Sequence, residues 1–199
     1  KQNGKISVQQ IFPWAIASFE DKYLKIPLLK NQLGITANER ITNSIQNLEY
    51  ALANSFNQLT HPKSRKVAAL KGNGELDDKF IADFFSNLRD SYYIAPFTLD
   101  SLSNSPAKTL EQIKEFDLLV IARPTKKFTE KEKYLLDQYI MSGGSTLWLI
   151  DKVNFVNDSV GGNDFAFARD LNLTDFFFRY GIRVNPNLVK DLYSAPIIL

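Results

Sequence analysis

Polar residues that could bind a ligand follow three predicted strands of this chain. In an open parallel sheet, ligands bind beyond the carboxyl ends of the strands, at the point where the strand order reverses. If the first and third strands are neighbours across that point, Glu75 and Arg123 face one crevice with Asp151 at its rim. Such a site suits a small anion, a peptide end or another small polar ligand. The candidate crevice residues are Gly72, Asn73, Gly74, Glu75, Arg123, Thr125 and Asp151.

The same loops also fit an interpretation without a ligand. The glycines of the 72–75 loop would make a tight turn, and Glu75 would stabilise the start of the following helix. Arg123 and Asp151 would then be ordinary surface charges, and both interpretations stay open at this point.

Several kinds of chemistry are excluded by residue type. The chain has 199 residues, one histidine and no cysteine, which rules out thiol catalysis and thiolate metal sites. His61 precedes a predicted strand, at the edge opposite the crevice, and the 72–75 loop lacks the spacing of a P-loop. A formal net charge of +2 argues against nucleic-acid binding. We therefore expect no catalytic residues, no metal and no cofactor.

Alternating strands and helices form the predicted core, residues 60–155. Nearly continuous apolar runs are typical of strands covered by helices on both faces. Thr129 and Glu132 form a capping box, opening a helix that ends at Gly143-Gly144. The charged residues at 126–133 read as a solvated helix start. The pattern predicts an α/β fold with a parallel, flavodoxin-like sheet. The predicted strands are 66–70, 92–99, 117–122 and 145–150, with helices at 76–88 and 107–115.

An N-terminal part, residues 1–59, lies outside this core. Residues 5–19 and 23–29 predict a β-hairpin, with prolines that confine its strands to edges. Residues 36–59 predict one long helix, whose Thr36 and Glu39 form a second capping box. We expect this part to pack on the core within one compact unit.

A C-terminal aromatic extension, residues 156–199, follows a polar loop after Asp151. It contains a predicted helix at 173–180, and its tail could add a short strand. Three consecutive phenylalanines cannot all point to one side of a helix, so at least one should cover the hairpin, another domain or a partner. The candidate partner surface is Phe165, Phe167, Phe176, Phe177, Phe178 and Tyr180.

Several blocks of the sequence resemble a known family. The most distinctive are ARPTKKFTEKEKYLLDQYIMSGG and FRYGIRVNP, and IFPWAIASF, VAALKGNGELDD and others follow the same order. Together they resemble GldG, the gliding-motility-associated auxiliary subunit family of ABC transporters in Bacteroidetes-type bacteria, over nearly the whole chain. This chain reads GNGE at 72–75, where family members often read GHGE.

The resemblance implies a fold similar to glutamine amidotransferases, without their nucleophilic cysteine. It also implies a fragment of a membrane-anchored protein at the periplasmic face of the inner membrane. Partners would be the permease and ATPase subunits and other gliding or secretion proteins. A homodimer is possible, and the membrane is reached only through segments outside this sequence.

Three functions are compatible with these observations. The favoured one is a non-enzymatic binding or scaffolding domain of an ABC-type complex. The alternative is a solute-binding module that uses the crevice, and the least favoured is a cryptic hydrolase.

Overall fold

The computed structural model describes residues 12–30, 32, 34–99, 105–158 and 163–189. The chain divides into two compact units, residues 1–63 and 64–199. How the N-terminal part packs on the core stays a prediction. None of the helices in the described ranges has the length and apolar character that a membrane span needs.

A β-hairpin and two helices make up the first unit. Strands β1 (Trp14–Phe19) and β2 (Lys22–Pro27) pair antiparallel, as predicted. The predicted long helix is instead two, α1 (Ala37–Gln46) and α2 (Leu48–Thr60), separated at Asn47. The predicted residues 5–11 of the hairpin lie outside the described part of the chain.

Local hydrogen bonds account for the geometry of α1. The Thr36 hydroxyl accepts from the Glu39 N–H, and the Glu39 carboxylate accepts from the Thr36 N–H, so the predicted capping box is confirmed. Near the other end, the Ser44 hydroxyl donates to the Arg40 carbonyl at 2.7 Å. Asn47 itself has φ −86° and ψ −5°, so the interruption between α1 and α2 is confined to this one residue.

The second unit contains a four-stranded parallel sheet with the order β4-β3-β5-β6. The first and third strands of the core are neighbours, which confirms the predicted flavodoxin-like α/β class. Pro96 lies in β4, an edge strand, where a missing N–H is tolerated. The elements are β3 (Lys66–Lys71), α3 (Asp78–Arg89), β4 (Tyr93–Thr98), α4 (Pro106–Ile113), β5 (Leu118–Ala122), α5 (Glu130–Met141) and β6 (Ser145–Leu149).

Helix α5 is capped at its start and is attached to the sheet near its end. The predicted Thr129/Glu132 capping box is present at its start. Near its end, the buried Tyr139 hydroxyl donates to the carbonyls of Phe116 and Ser145, at 3.0 and 3.3 Å. Gly144 is required here because a Cβ atom at this position would lie 2.2 Å from the Tyr139 ring.

A second hairpin replaces the polar loop that we expected after Asp151. Strands β7 (Val153–Asp158) and β8 (Asn163–Ala168) pair antiparallel, so that expectation was wrong. Short alternating runs on either side of Gly161-Gly162 carried the signal for a hairpin. Helix α6 (Thr174–Arg179) follows, as predicted, and residues 182–189 have no regular structure. The rest of the tail lies outside the described residues.

Tyr139→Phe should lower the free energy of unfolding by about 1–2 kcal/mol, because the partly buried carbonyls of Phe116 and Ser145 lose the donor that they share. The measurement is urea unfolding. Tyr134→Phe is the matched control on the same helix, since Tyr134 is exposed, and its effect should stay within about 0.5 kcal/mol. Equal effects of the two changes would contradict the role given to the Tyr139 hydroxyl.

Candidate functional site

The candidate crevice lies where β3 and β5 end side by side. Their parallel pairing brings the 72–75 loop and the 123–126 loop to the same edge of the sheet. The predicted site residues therefore come from loops about fifty positions apart in the chain, at the place where open α/β sheets bind ligands.

These two loops are hydrogen-bonded directly to each other. The N–H groups of Thr125 and Lys126 donate to the Asn73 carbonyl at 3.0 and 2.9 Å. The Thr125 hydroxyl donates to the Gly74 carbonyl at 2.8 Å. Gly74 has φ +71°, and a Cβ atom there would lie 2.2 Å from the Thr125 hydroxyl oxygen. The crevice is therefore narrowed on this side by contacts of the protein itself.

Asn73 and Glu75 each leave one buried oxygen without a hydrogen bond. Asn73 is 3% exposed, and its amide N–H donates to Glu132 at 3.2 Å. One oxygen of the Glu75 carboxylate accepts from the Asn73 N–H at 2.9 Å. The remaining oxygens, Asn73 Oδ1 and Glu75 Oε1, have no partner. Two such acceptors in one loop suit a donor group, because unsatisfied buried oxygens are costly.

Burial raises the pKa of the Glu75 carboxyl above its ordinary value. The backbone hydrogen bonds and the nearby Lys71 oppose this effect without cancelling it. A half-buried carboxyl that holds its proton to a higher pH can donate as well as accept a hydrogen bond.

Arg123 and Asp151 form a separate pair at the rim. Arg123 is a non-glycine residue with φ +51°, and its N–H donates to the Leu149 carbonyl at 2.7 Å. Its Nε lies 3.5 Å from Asp151 Oδ2. Arg169 also approaches Asp151, donating to its backbone carbonyl at 3.3 Å. The side chains of Arg123 and Asp151 are each about half exposed, so the ion pair between them contributes little stability.

The chemistry of this arrangement is recognition by hydrogen bonds and charge. In the described ranges, no three His, Cys, Asp or Glu side chains are grouped as metal ligands would be. Gly72, with φ +118°, completes the loop. Whether the predicted crevice residues bind a ligand stays a prediction.

The aromatic segment divides between the core and the surface. Phe176 and Phe177 are buried in the main hydrophobic core and contact Trp148. Phe178 is 75% exposed. The Tyr180 hydroxyl donates to Asp137 at 2.7 Å, which ties the end of α6 to α5.

Two further aromatics of the predicted partner surface lie on hairpin β7–β8. Phe165 and Phe167 are stacked, with ring centroids 6.2 Å apart, and both are about half exposed. The surface open to a partner is therefore carried by the hairpin pair and Phe178, and its role stays a prediction.

Lys133 is a charged residue that sequence reasoning placed wrongly. It belongs to the segment predicted to be a solvated helix start, yet its side chain is only 7% exposed. Its ammonium lies 2.7 Å from Glu130 and 3.1 Å from Asp175, and so joins α5 to α6. The sequence signal for the burial of Lys133 was its position three residues before Leu136, on the same face of α5.

Gly74→Ala should destabilise the protein by about 2–3 kcal/mol, which combines left-handed strain with displacement of Thr125. Gly181→Ala is the matched control, because Gly181 has φ +74° and its added Cβ would meet nothing within 4 Å. Its cost should be about 1 kcal/mol, from backbone strain alone. If Gly74→Ala and Gly181→Ala lowered the free energy of unfolding equally in urea, the close contact between Gly74 and Thr125 would be contradicted.

The free energy of unfolding of the Glu75→Gln variant should increase relative to that of the unchanged protein as pH rises from below 4.5 towards neutrality. The folded state holds the Glu75 proton to a higher pH than the unfolded state, whose pKa is near the ordinary 4.5. The unfolded state then binds fewer protons, so the stability of the unchanged protein falls as pH rises, and glutamine removes this fall. Unfolding curves across this pH range test it, and a constant difference would refute it.

Comparison with known proteins identifies a family. The model of the family described as an ABC-type uncharacterized transport system matches residues 64–199, the whole second unit. No curated protein matches the chain. Because the match covers more than half of the sequence and includes the sheet, its loops and α6, the chain belongs to this ABC-type transport system family.

Proposed function

We propose that this chain is a non-enzymatic binding and scaffolding domain at the periplasmic face of the inner membrane, serving gliding motility and its associated secretion. Its partners are the permease and ATPase subunits of an ABC transporter. The family gives the chain a transport-associated role. The finer assignment is supported by the GldG-like sequence blocks at 122–144 and 178–186.

The observation that carries the proposal is the outer face of hairpin β1–β2. The inner face packs Ala17 and Ile26 against Leu59 of α2, in a small core. The pairing of Ile16 with Lys25 and Ser18 with Tyr23 places alternate residues on the opposite face.

This outer face is apolar and accessible. Ile16 and Tyr23 are 72% and 79% exposed, and Trp14 lies beside Lys25, whose ammonium is 5.2 Å from the ring centroid. Two strands alone are marginally stable in water, and a partner that covers their apolar face adds stability. A contact surface for another subunit is the function that this arrangement supports best.

A solute-binding module at the crevice is the second candidate. It is supported by the unpaired buried oxygens of Asn73 and Glu75. The hydrogen bonds between the 72–75 and 123–126 loops act against it, because they occupy space that a solute would need. Catalysis has less support, since none of the candidate crevice residues is a histidine, a cysteine or a serine that could act as a base or nucleophile.

Ile16→Asp combined with Tyr23→Asp should reduce recovery of the permease and ATPase about tenfold or more, because two desolvated carboxylates would face an apolar interface. The measurement is affinity purification of the tagged full-length protein from detergent-solubilised membranes, with the subunits quantified by mass spectrometry.

The control is Phe80→Asp, which places one such carboxylate at a similarly exposed aromatic residue of α3. Its recovery of both subunits should be unchanged. Full recovery with the doubly substituted hairpin, or an equal loss with Phe80→Asp, would refute the assignment of this face.

A further inference from the structure

A cleft of about 540 Å³ opens beside α6, and none of the candidate crevice residues lines it. It is bordered by Lys152 after β6, by the first turn and outer side of α6, and by the segment 182–184. Its volume lies within the range of small-molecule sites in proteins. Its walls combine apolar side chains with a few charged groups.

Two cations meet at this cleft. The Lys152 ammonium donates to the Val184 carbonyl at 3.0 Å and to the Thr174 hydroxyl at 3.2 Å. An ammonium group has three donors, and these contacts use two of them. Arg183 is next in the chain to Val184, is exposed, and forms no hydrogen bond or ion pair with any described part of the protein.

The acids at the cleft are already paired with lysines from elsewhere. Asp170 lies 2.6 Å from Lys127, and the hydrogen bond from that ammonium lowers the pKa of Asp170. Asp175 is bound by Lys133 at 3.1 Å, which lowers the pKa of Asp175 in the same way. The charge of Lys152 also contributes to lowering the pKa of Asp170, so Arg183 is the cation at this cleft that has no partner in the described part of the chain. With Lys127 and Lys133 paired to the two acids, the unpaired charge of Arg183 and the spare donor of Lys152 favour an anion.

The apolar side of the cleft is also incomplete. Phe178 and Ile182 both line it with half or more of their surface accessible. Beneath them, Phe177 is buried against Trp148, with ring centroids 5.0 Å apart, so the floor is rigid. An apolar group placed here would remove exposed hydrophobic surface from water.

We propose that this cleft binds an amphipathic carboxylate, whose apolar group packs on Phe178 and Ile182 and whose carboxylate is held by Arg183 and Lys152. A fatty acid and a protein C-terminus that ends in a large apolar residue share this chemistry. The site is distinct from the hairpin face and would give the domain a ligand of its own.

Isothermal titration calorimetry on the folded chain tests the proposal with two probes. One is octanoate and the other is a short acetylated peptide that ends in leucine with a free carboxylate. At least one should bind, and its primary amide should bind about tenfold or more weakly, because a charge-assisted contact is lost. The probe that binds more tightly identifies the source of the carboxylate.

Arg183→Gln should weaken binding of the carboxylate about tenfold and leave the amide unaffected. Phe178→Ser should weaken binding of both, and its thermal unfolding should be nearly unchanged because the ring is exposed. Arg179→Gln is the matched control, since Arg179 is exposed on α6 but does not line this cleft.

Three results would overturn the proposal. Neither carboxylate binds at millimolar concentration; the amides bind as tightly as the acids; or Arg179→Gln weakens binding as much as Arg183→Gln does.

Discussion

The parallel pairing of β3 with β5 is the constraint on which the second unit depends. Strand β3 lies between β4 and β5, and all the strands of this sheet are parallel. Each strand must therefore be connected to the next one in the chain by a crossover, which here contains a helix. Val67, Ala68, Ala69 and Leu70 of β3 are all buried, because its two faces are covered. The same pairing aligns the two strand ends and forces their following loops into contact.

That contact explains the residues of the 72–75 loop. The Asn73 carbonyl accepts two N–H groups from the opposite loop, and the turn approaches Thr125 so closely that a side chain at Gly74 has no room. Glycine at this position is thus a packing requirement as well as a conformational one. The same loop holds the two buried oxygens without a hydrogen-bond partner, Asn73 Oδ1 and Glu75 Oε1.

Much of this architecture could be predicted from the sequence, because its signals are local. The Thr129/Glu132 capping box, apolar strands and the glycines after α5 gave the core elements within a few residues of their bounds, and the Thr36/Glu39 box gave the start of α1 outside the core. The position of Lys133 on the buried face of α5 is a local signal for its burial, but its ion pair with Asp175 joins two different helices, and no local pattern reports that contact. Hairpin β7–β8 was missed because its polar residues outweighed a short alternation.

The site was predictable only in part, for a similar reason. The sequence allowed a flavodoxin-like strand order but did not fix it; the observed pairing of β3 with β5 is what brings the Gly74 and Arg123 loops together. The hydrogen bonds that narrow the crevice depend on distances of a few tenths of an ångström, which residue spacing does not contain. At the α6 cleft, Lys152 donates to the carbonyl of Val184, the residue after Arg183. Residues 182–189 have no regular structure, so hydrophobic periodicity could not predict where Arg183 lies.

The proline in edge strand β4 has a consequence for self-association. Lateral addition of a strand needs a continuous row of free backbone donors, and Pro96 interrupts that row on one side of the sheet. The opposite edge, β6, contains no proline. If β4 of one copy paired with β6 of the next, the copies would join head to tail into an open filament. If β6 of one copy paired with β6 of another, the contact would be two-fold symmetric and would produce a closed dimer. The single proline thus favours a finite pair over an endless polymer wherever sheets of this chain meet.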